Sequence, residues 1–327
     1  MGALLISLSL KEPDSGQYKS FPSVNISNEQ ADAAENPDTS APGTDFSDTN
    51  SSASSAENSL TAASLVLGNK TLILGESEES LIRKLGTPGR IACTEYDFDF
   101  YVYNRDYRNL VFIAVKEGLI EGFYTDSLSF DFRGITPESD LEDINRKLSS
   151  SFTMSEVLSF ETEDFKAKLL MDRWDTGRVT GIYVLSNNVT EDGYDDSVIR
   201  DAELLNYDLV NSLRKRSGLP LLAWSSTAAK ASRKHCVDMA EKDYFDHIGL
   251  DGSLPGDRLR EEGLSIQRVG ENIIAGYGSA ILSNHAWFNS PGHRKNLLNE
   301  DYICLGVGFT YREDSDYKTY MTQMLYR

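Results

Sequence analysis

Apolar residues are spaced differently in successive parts of the chain, and each change of spacing marks a different kind of segment. Gly2 to Leu10 is apolar but only nine residues long, too short to span a bilayer, and has no positive flank. It reads as the tail end of a longer export signal or anchor; the alternative is a short apolar terminus. Residues 11–64 have hardly a large apolar side chain after Val24 and Ile26. Such a Ser/Thr/Asp/Asn/Ala tract cannot repay its ordering entropy, so a flexible acidic linker is expected there.

From residue 65 to 187 short alternating segments take over. They predict an extended piece at Leu72 to Leu74, a helix over 77–85 capped by Ser77, and strands over 98–103, 110–115 and 119–124. A helix over 141–148 and strands over 165–171 and from Val179 follow. The run Leu119-Ile-Glu-Gly-Phe-Tyr-Thr is echoed loosely by Val179-Thr-Gly-Ile-Tyr-Val-Leu. Residues 65–187 therefore read as one small α+β domain made of two similar units, each a helix followed by strands. Residues 188–200, acidic and holding Gly193, read as the linker to the next domain.

Residues 201–327 are the most strongly patterned. Leu204, Leu205, Leu209, Val210 and Leu213 share one face of a helix over 199–216, which Gly218 and Pro220 end. Further helices are expected over 226–241, 256–262 and 279–288, the last ended by Pro291-Gly292. Strands over 304–311 and 317–326 close the domain. Helices first and an antiparallel pair last imply an α-β layered domain rather than a doubly wound one.

Charge narrows the partners. The 327 residues carry a formal charge of −19; residues 201–327 hold 15 basic against 17 acidic side chains, so −17 falls on residues 1–200. A chain this acidic does not offer the positive patch that a nucleic-acid backbone needs. Three cysteines, Cys93, Cys236 and Cys304, exclude a disulfide-rich scaffold. Cys236 and Cys304 both fall in apolar patterns, which favours small buried thiols over a bridge between them.

Candidate chemistry sits in three short motifs, Phe245-Asp-His247, Gly270-Glu271-Asn272 and Ser290-Pro-Gly-His293-Arg294. Two imidazoles and a carboxylate can ligate a metal or do acid-base work. The blander reading gives His247 an exposed loop position and His293 a place in a turn at a helix end, beside the helix C-terminus. A carboxylate entering the apolar run Ile273-Ile274 needs a partner, which is the argument for drawing Glu271 toward a histidine. The spacing matches no local zinc pattern, and H-E-x-x-H is absent. His235 and His285 read as helix-surface or boundary residues. Gly306 and Gly308 lack the spacing of a phosphate loop, and no nucleophile elbow is present.

The motifs together, with Gly218-Leu-Pro220, Trp224, Trp287, Asn296, Gly306 to Phe309 and Tyr320 to Gln323, resemble the family of cysteine-rich secretory proteins, antigen 5 and pathogenesis-related proteins, in its bacterial branch. The resemblance runs from about Ala202 to Arg327 and implies an α-β-α sandwich around a central antiparallel sheet. Leu85-Gly-Thr-Pro88, Tyr101 to Tyr107 and Gly118 to Thr125 resemble the domain associated with it on its amino-terminal side. The family's cleft carries two histidines and two acids; His247, Glu271 and His293 match three of these positions, and Ser290 stands in place of the second acid. Trp287, Asn272, Arg294 and Asn296 are expected to be structural around that cleft.

What the resemblance implies for function is a cell-surface or extracellular binding module whose cleft of His247, Glu271, Ser290 and His293 accepts a small ligand or a divalent cation, with no established catalysis. Partners would be a small ligand, a lipid or a protein at the surface, with membrane attachment through a missing N-terminal segment and no nucleic acid. The alternative is a zinc-dependent hydrolase of peptide or cell-wall substrates, with His247, His293 and Glu271 on the metal and Glu271 or His293 as the catalytic candidates. Zinc or another divalent cation is the only cofactor candidate.

Overall fold

Two sheets, one in each domain, lie on either side of one long helix. The computed structural model describes residues 63–327 and the backbone of Leu5–Ser7, which forms a short strand, β1. The linker expected over 11–64 falls outside the described residues, apart from Ala63 and Ser64, the second of which opens the next strand.

In the first domain the chain runs through β2 (Ser64–Leu67), β3 (Lys70–Ile73), α1 (Glu78–Leu85), β4 (Arg90–Cys93), β5 (Asp99–Tyr103), β6 (Val111–Lys116) and β7 (Leu119–Thr125). It continues through β8 (Phe130–Asp131), α2 (Leu141–Leu148), β9 (Val157–Glu161), β10 (Phe165–Met171) and β11 (Val179–Ser186). Ser77 caps α1 by accepting from the Ser80 N–H, as its position ahead of the periodic run requires. Seven strands form one sheet in the order β4-β5-β6-β7-β11-β10-β9. The last strands of the two units, β7 and β11, pair antiparallel at the centre, with Ile182 opposite Thr125 and Leu185 opposite Gly122. The two echoed segments are thus the strands that meet at that seam. Its glycines have a packing reason: a Cβ on Gly122 would meet the Val184 carbonyl, and one on Gly181 would crowd that of Thr125.

Strand alternation gives this sheet two buried faces. Val111, Ile113, Val115 and Phe123 point to a core closed by Leu81 of α1, Ile144 of α2 and the small sheet β3-β2-β8. Phe112, Ala114, Tyr124 and Tyr183 point the other way, into a core shared with the second domain. A sheet buried on both faces explains why β6 is apolar from Val111 to Val115.

The second domain comprises α3 (Asp196–Arg216), β12 (Ala223–Trp224), α4 (Ser226–Glu241), α5 (Pro255–Glu261), β13 (Arg268–Ala275), α6 (Ala280–Phe288), α7 (Pro291–Leu297), β14 (Cys304–Tyr311) and β15 (Thr319–Tyr326). Its sheet runs β1-β13-β15-β14-β12; the three central strands are antiparallel, and the short edge strands β1 and β12 are parallel to their neighbours. Helix α4 packs against β14 and β15 on one face, while Leu205, Leu209 and Leu213 of α3 meet Leu305, Val307 and Phe309 on the other. This is the expected mixed α+β architecture with helical layers around an antiparallel sheet.

Three expectations change. The long helix begins at Asp196, capped by Asp195, inside the span read as linker. Strand β13 has no clear sequence signature, because its polar Glu271 and Asn272 are buried along with their apolar neighbours. Pro291-Gly292 opens a helix instead of ending one: Pro291 is the first residue of α7, where its missing N–H costs nothing.

The polar side of α3, which an isolated amphipathic helix would show to water, faces the first domain. Asp208 accepts from Arg90 Nη1 at 2.6 Å, Tyr107 Oη at 2.7 Å and Asn104 Nδ2 at 3.0 Å. Ser212 donates to Asp126 at 2.7 Å or to the Tyr107 carbonyl at 2.9 Å, and Arg216 pairs with Asp126 at 2.9 Å. At α7, Arg294 makes a two-pronged bridge to the buried Asp172 of the first domain, both contacts at 2.9 Å.

The three cysteines are free thiols; Cys236 is buried, donating to Gly308 O or Thr322 Oγ1. Gly306 and Gly308, which resembled no true phosphate loop, let β14 run directly beneath α4. A Cβ on Gly306 would collide with the backbone of Ala228 and Ala229. Gly306→Ala is expected to cost about 1–3 kcal/mol, the usual range for overpacking. Urea unfolding would register it as a lowered midpoint at unchanged slope.

Candidate functional site

Glu271 is carried on β13, one position before Asn272, and is 3 % exposed. A buried carboxylate must be compensated, and here both oxygens are. Oε1 accepts from His247 Nδ1 at 2.8 Å and Oε2 accepts from Arg258 Nη2 at 2.8 Å. Burial acts to raise the Glu271 pKa, but the His247 hydrogen bond and the Arg258 charge outweigh it and hold the carboxyl below its ordinary value. An ionised carboxylate has only lone pairs to offer, so His247 Nδ1 carries the proton in this contact.

Arg258, on α5, also donates from Nη2 to the His247 carbonyl at 2.9 Å and from Nη1 to the Ser253 carbonyl at 2.9 Å. It therefore fixes the whole 247–253 loop against Glu271. Glu271 thus finds the expected histidine partner in His247, and a second partner in Arg258. Arg258 was missed; its one signal is a basic residue beside Leu259 on the buried side of a short helix.

His293 is the third residue of α7, at the start of that helix. The expectation of a turn beside a helix C-terminus is therefore reversed, since the helix dipole at this end opposes a positive ring. Burial, with the His247 charge adding to it, lowers the His293 pKa to about 4, so the imidazole is neutral at physiological pH. His235 and His285 are also corrected, because both are buried rather than on a helix surface. His235 Nε2 contacts the Asp246 carbonyl at 3.0 Å and its ring lies within the field of Glu271. His285 Nε2 faces the Glu156 carbonyl of the first domain at 2.8 Å.

Behind Glu271 runs a chain of buried amides. Gln323 donates to Asn206 Oδ1 at 2.6 Å, Asn272 to Gln323 Oε1 at 2.9 Å, and Asn296 to Asn272 Oδ1 at 2.9 Å. Asn296 also reaches the Glu271 carbonyl at 3.1 Å. Trp287 Nε1 donates to the Ile273 carbonyl at 3.1 Å, on the same strand. Ser290 is the N-cap residue of α7 and is buried. Arg294, in contrast, is directed to the domain interface, where it pairs with Asp172 and lies 3.9 Å from the centre of the Phe288 ring.

As a three-ligand metal centre the residues do not fit. Glu271 has both oxygens engaged, one by a guanidinium, so it stands behind His247 as an orienting group. Among the described residues no group of three or more His, Cys, Asp or Glu side chains is disposed to hold a metal ion.

With the fold and cleft in place, comparison defines the class. Residues 207–325 match the model of the cysteine-rich secretory protein family, and residues 74–168 match that of the CAP-associated N-terminal domain. The C-terminal domain belongs to this family, and the first domain is its associated N-terminal domain. Among relatives, the "Uncharacterized membrane protein YlbC" of Bacillus subtilis is 27 % identical over 273 residues, covering 72 % of this chain and 79 % of that one. The "Uncharacterized protein YkwD" of the same organism is 38 % identical over 102 residues, covering 31 % of this chain and 40 % of that one. Among solved structures, an extracellular protein containing an SCP domain from Bacillus anthracis is 27 % identical with a TM-score of 0.66, covering 78 % of this chain and 93 % of that one. A cysteine-rich secretory protein from Staphylococcus aureus shares the fold at 15 % identity and a TM-score of 0.60, covering 77 % of this chain and 91 % of that one.

The neutral His293 gives a pH prediction. Its folded pKa of about 4 lies below the ordinary 6.5, so the unfolded chain takes up the proton first as pH falls. Its contribution is fully present above pH 6.5 and is lost progressively towards pH 4. His285, also lowered to about 4 by burial, adds to the same window. Urea midpoints measured from pH 7 to 4.5 should fall less steeply in His293→Gln than in the parent, and the His293 resonance should titrate near pH 4.

Proposed function

We propose that this protein is a binding module at the cell surface or outside the cell, whose cleft around His247, Glu271, Ser290 and His293 recognises a small polar ligand without turning it over. The observation that carries the reading is the double engagement of Glu271. A general base needs a lone pair free to meet a substrate proton, and a depressed pKa lowers its basicity further. Both conditions weigh against Glu271 as a catalyst.

The same contacts suit recognition. Arg258 and Glu271 hold His247 in one orientation, and the amide chain holds the strand beneath it, so the ordering cost is met before any ligand arrives. His247 and His293 bring imidazoles, rings that can both donate and accept hydrogen bonds, to this cleft. Hydroxyl and amide groups, as on a sugar or a peptide, match that set. A location outside the cell is supported by the relatives, one named as a membrane protein and another as an extracellular one. Among the described residues no helix is long and apolar enough to cross a membrane.

The test is a titration with N-acetylated disaccharides, short peptides and zinc chloride, following the His247 and His293 ring resonances and analysing the mixtures by mass spectrometry. An organic ligand should shift both rings and be recovered intact, and His247→Ala should weaken it about tenfold. Hydrolysis abolished by Glu271→Gln, or one zinc per chain lost in His293→Ala, would replace this reading with the metal-dependent hydrolase.

A further inference from the structure

A second cleft, of about 380 Å³, opens where the two domains and their connector meet, away from Glu271. That volume suits a small organic ligand rather than a bare ion. The first domain contributes Glu95, Tyr96, Lys168 and Tyr183; the connector contributes Glu191 and Tyr194. The second domain closes it with Gly276 to Leu282 and the turn from Tyr311 to Thr319.

The walls are aromatic and firmly placed. Tyr194 stacks on Tyr311 with ring centres 4.7 Å apart and leans on Phe309 at 5.6 Å. Gly278 leaves room for it, since a Cβ there would meet the Tyr194 hydroxyl. Tyr183 and Tyr96 are buried in the opposite wall.

Two charges in this lining lack an opposite charge. Glu95 is anchored through its backbone, its carbonyl accepting from the N–H groups of Asp192 at 2.8 Å and Gly193 at 3.1 Å. Its carboxyl has no cationic neighbour; burial, with Glu191 adding to it, lifts its pKa to about 7. Lys168 lies opposite Tyr183 in the β10–β11 register. It makes no ion pair among the described residues, and burial, with Lys166, lowers its pKa. The cleft's other lysine, Lys318, is already bonded to Glu313 at 2.5 Å. Glu95 and Lys168 do not pair with each other, so one cleft holds an unmatched negative and an unmatched positive group with Tyr183 beside both.

We propose that this interdomain cleft binds a short peptide with free ends, its terminal ammonium at Glu95 and Glu191, its terminal carboxylate at Lys168, and its backbone against the tyrosines. A ligand with both charges supplies each of these half-buried groups with the partner the protein withholds. The cleft's volume leaves room for more than one residue between the two groups. This site is independent of the His247 cleft, and either can fail without the other.

Isothermal titration of the full chain with trialanine, N-acetyl-trialanine and trialanine amide tests it. Trialanine should bind, and each cap should weaken it about tenfold. Glu95→Gln should weaken trialanine to a similar extent while leaving N-acetyl-trialanine unchanged; Lys168→Met should do the same for the amide. Each variant removes an uncompensated charge, so both should fold, as circular dichroism would verify. Equal binding of all three peptides, no binding of trialanine at millimolar concentration, or loss that ignores which end is capped would overturn the proposal.

Discussion

A charged helix face can be buried only if every charge on it is met, and α3 is where this protein satisfies that condition. The helix lies between two sheets. Its apolar side completes the core beneath β14, and its polar side, through Asp208, Ser212 and Arg216, is matched by Arg90, Tyr107 and Asp126 of the first domain. Removing one partner from such a set leaves the other buried and unpaired, which typically costs several kcal/mol. The two domains are consequently held in one arrangement, and the interdomain cleft with its tyrosine walls exists because of it. Arg214 ties the same helix to the end of α7 and the chain after it through the Leu297 and Asn299 carbonyls.

The same helix reaches the His247 cleft from behind. Asn206 begins the amide chain through Gln323 and Asn272 to Asn296, crossing from α3 through β15 and β13 to α7. Side-chain amides have both donors and acceptors, so a chain of them can be satisfied within an apolar core without placing charge there. Charge appears only at the cleft end, where Glu271, Arg258 and His247 close on one another. Tyr317 of the interdomain cleft packs against Phe245, two residues before His247.

Much of the framework was legible along the chain. Ser77 ahead of a periodic run, the 141–148 helix with its acidic start and basic end, and the alternation in 165–171 were each written locally, and each formed as read. The echo between residues 119–125 and 179–185 foretold the seam of the seven-stranded sheet. In contrast, β13 was not legible, because its residues are buried on both faces and polar ones are tolerated by partners far along the chain. His293 was misplaced for a local reason: Pro-Gly ends one helix, but Pro also begins another.

The sequence by itself determined most of the helices and strands of both domains, and that a carboxylate at Glu271 needs company. These follow from local periodicity and from the cost of burying an unpaired charge. Only the tertiary structure decided who that company is. Arg258 and His247 are 13 and 24 residues away from Glu271, and Asp172 meets Arg294 across 122 residues. Pairings at such separations leave no periodic trace, because they depend on how packed elements bring side chains together rather than on spacing along the chain.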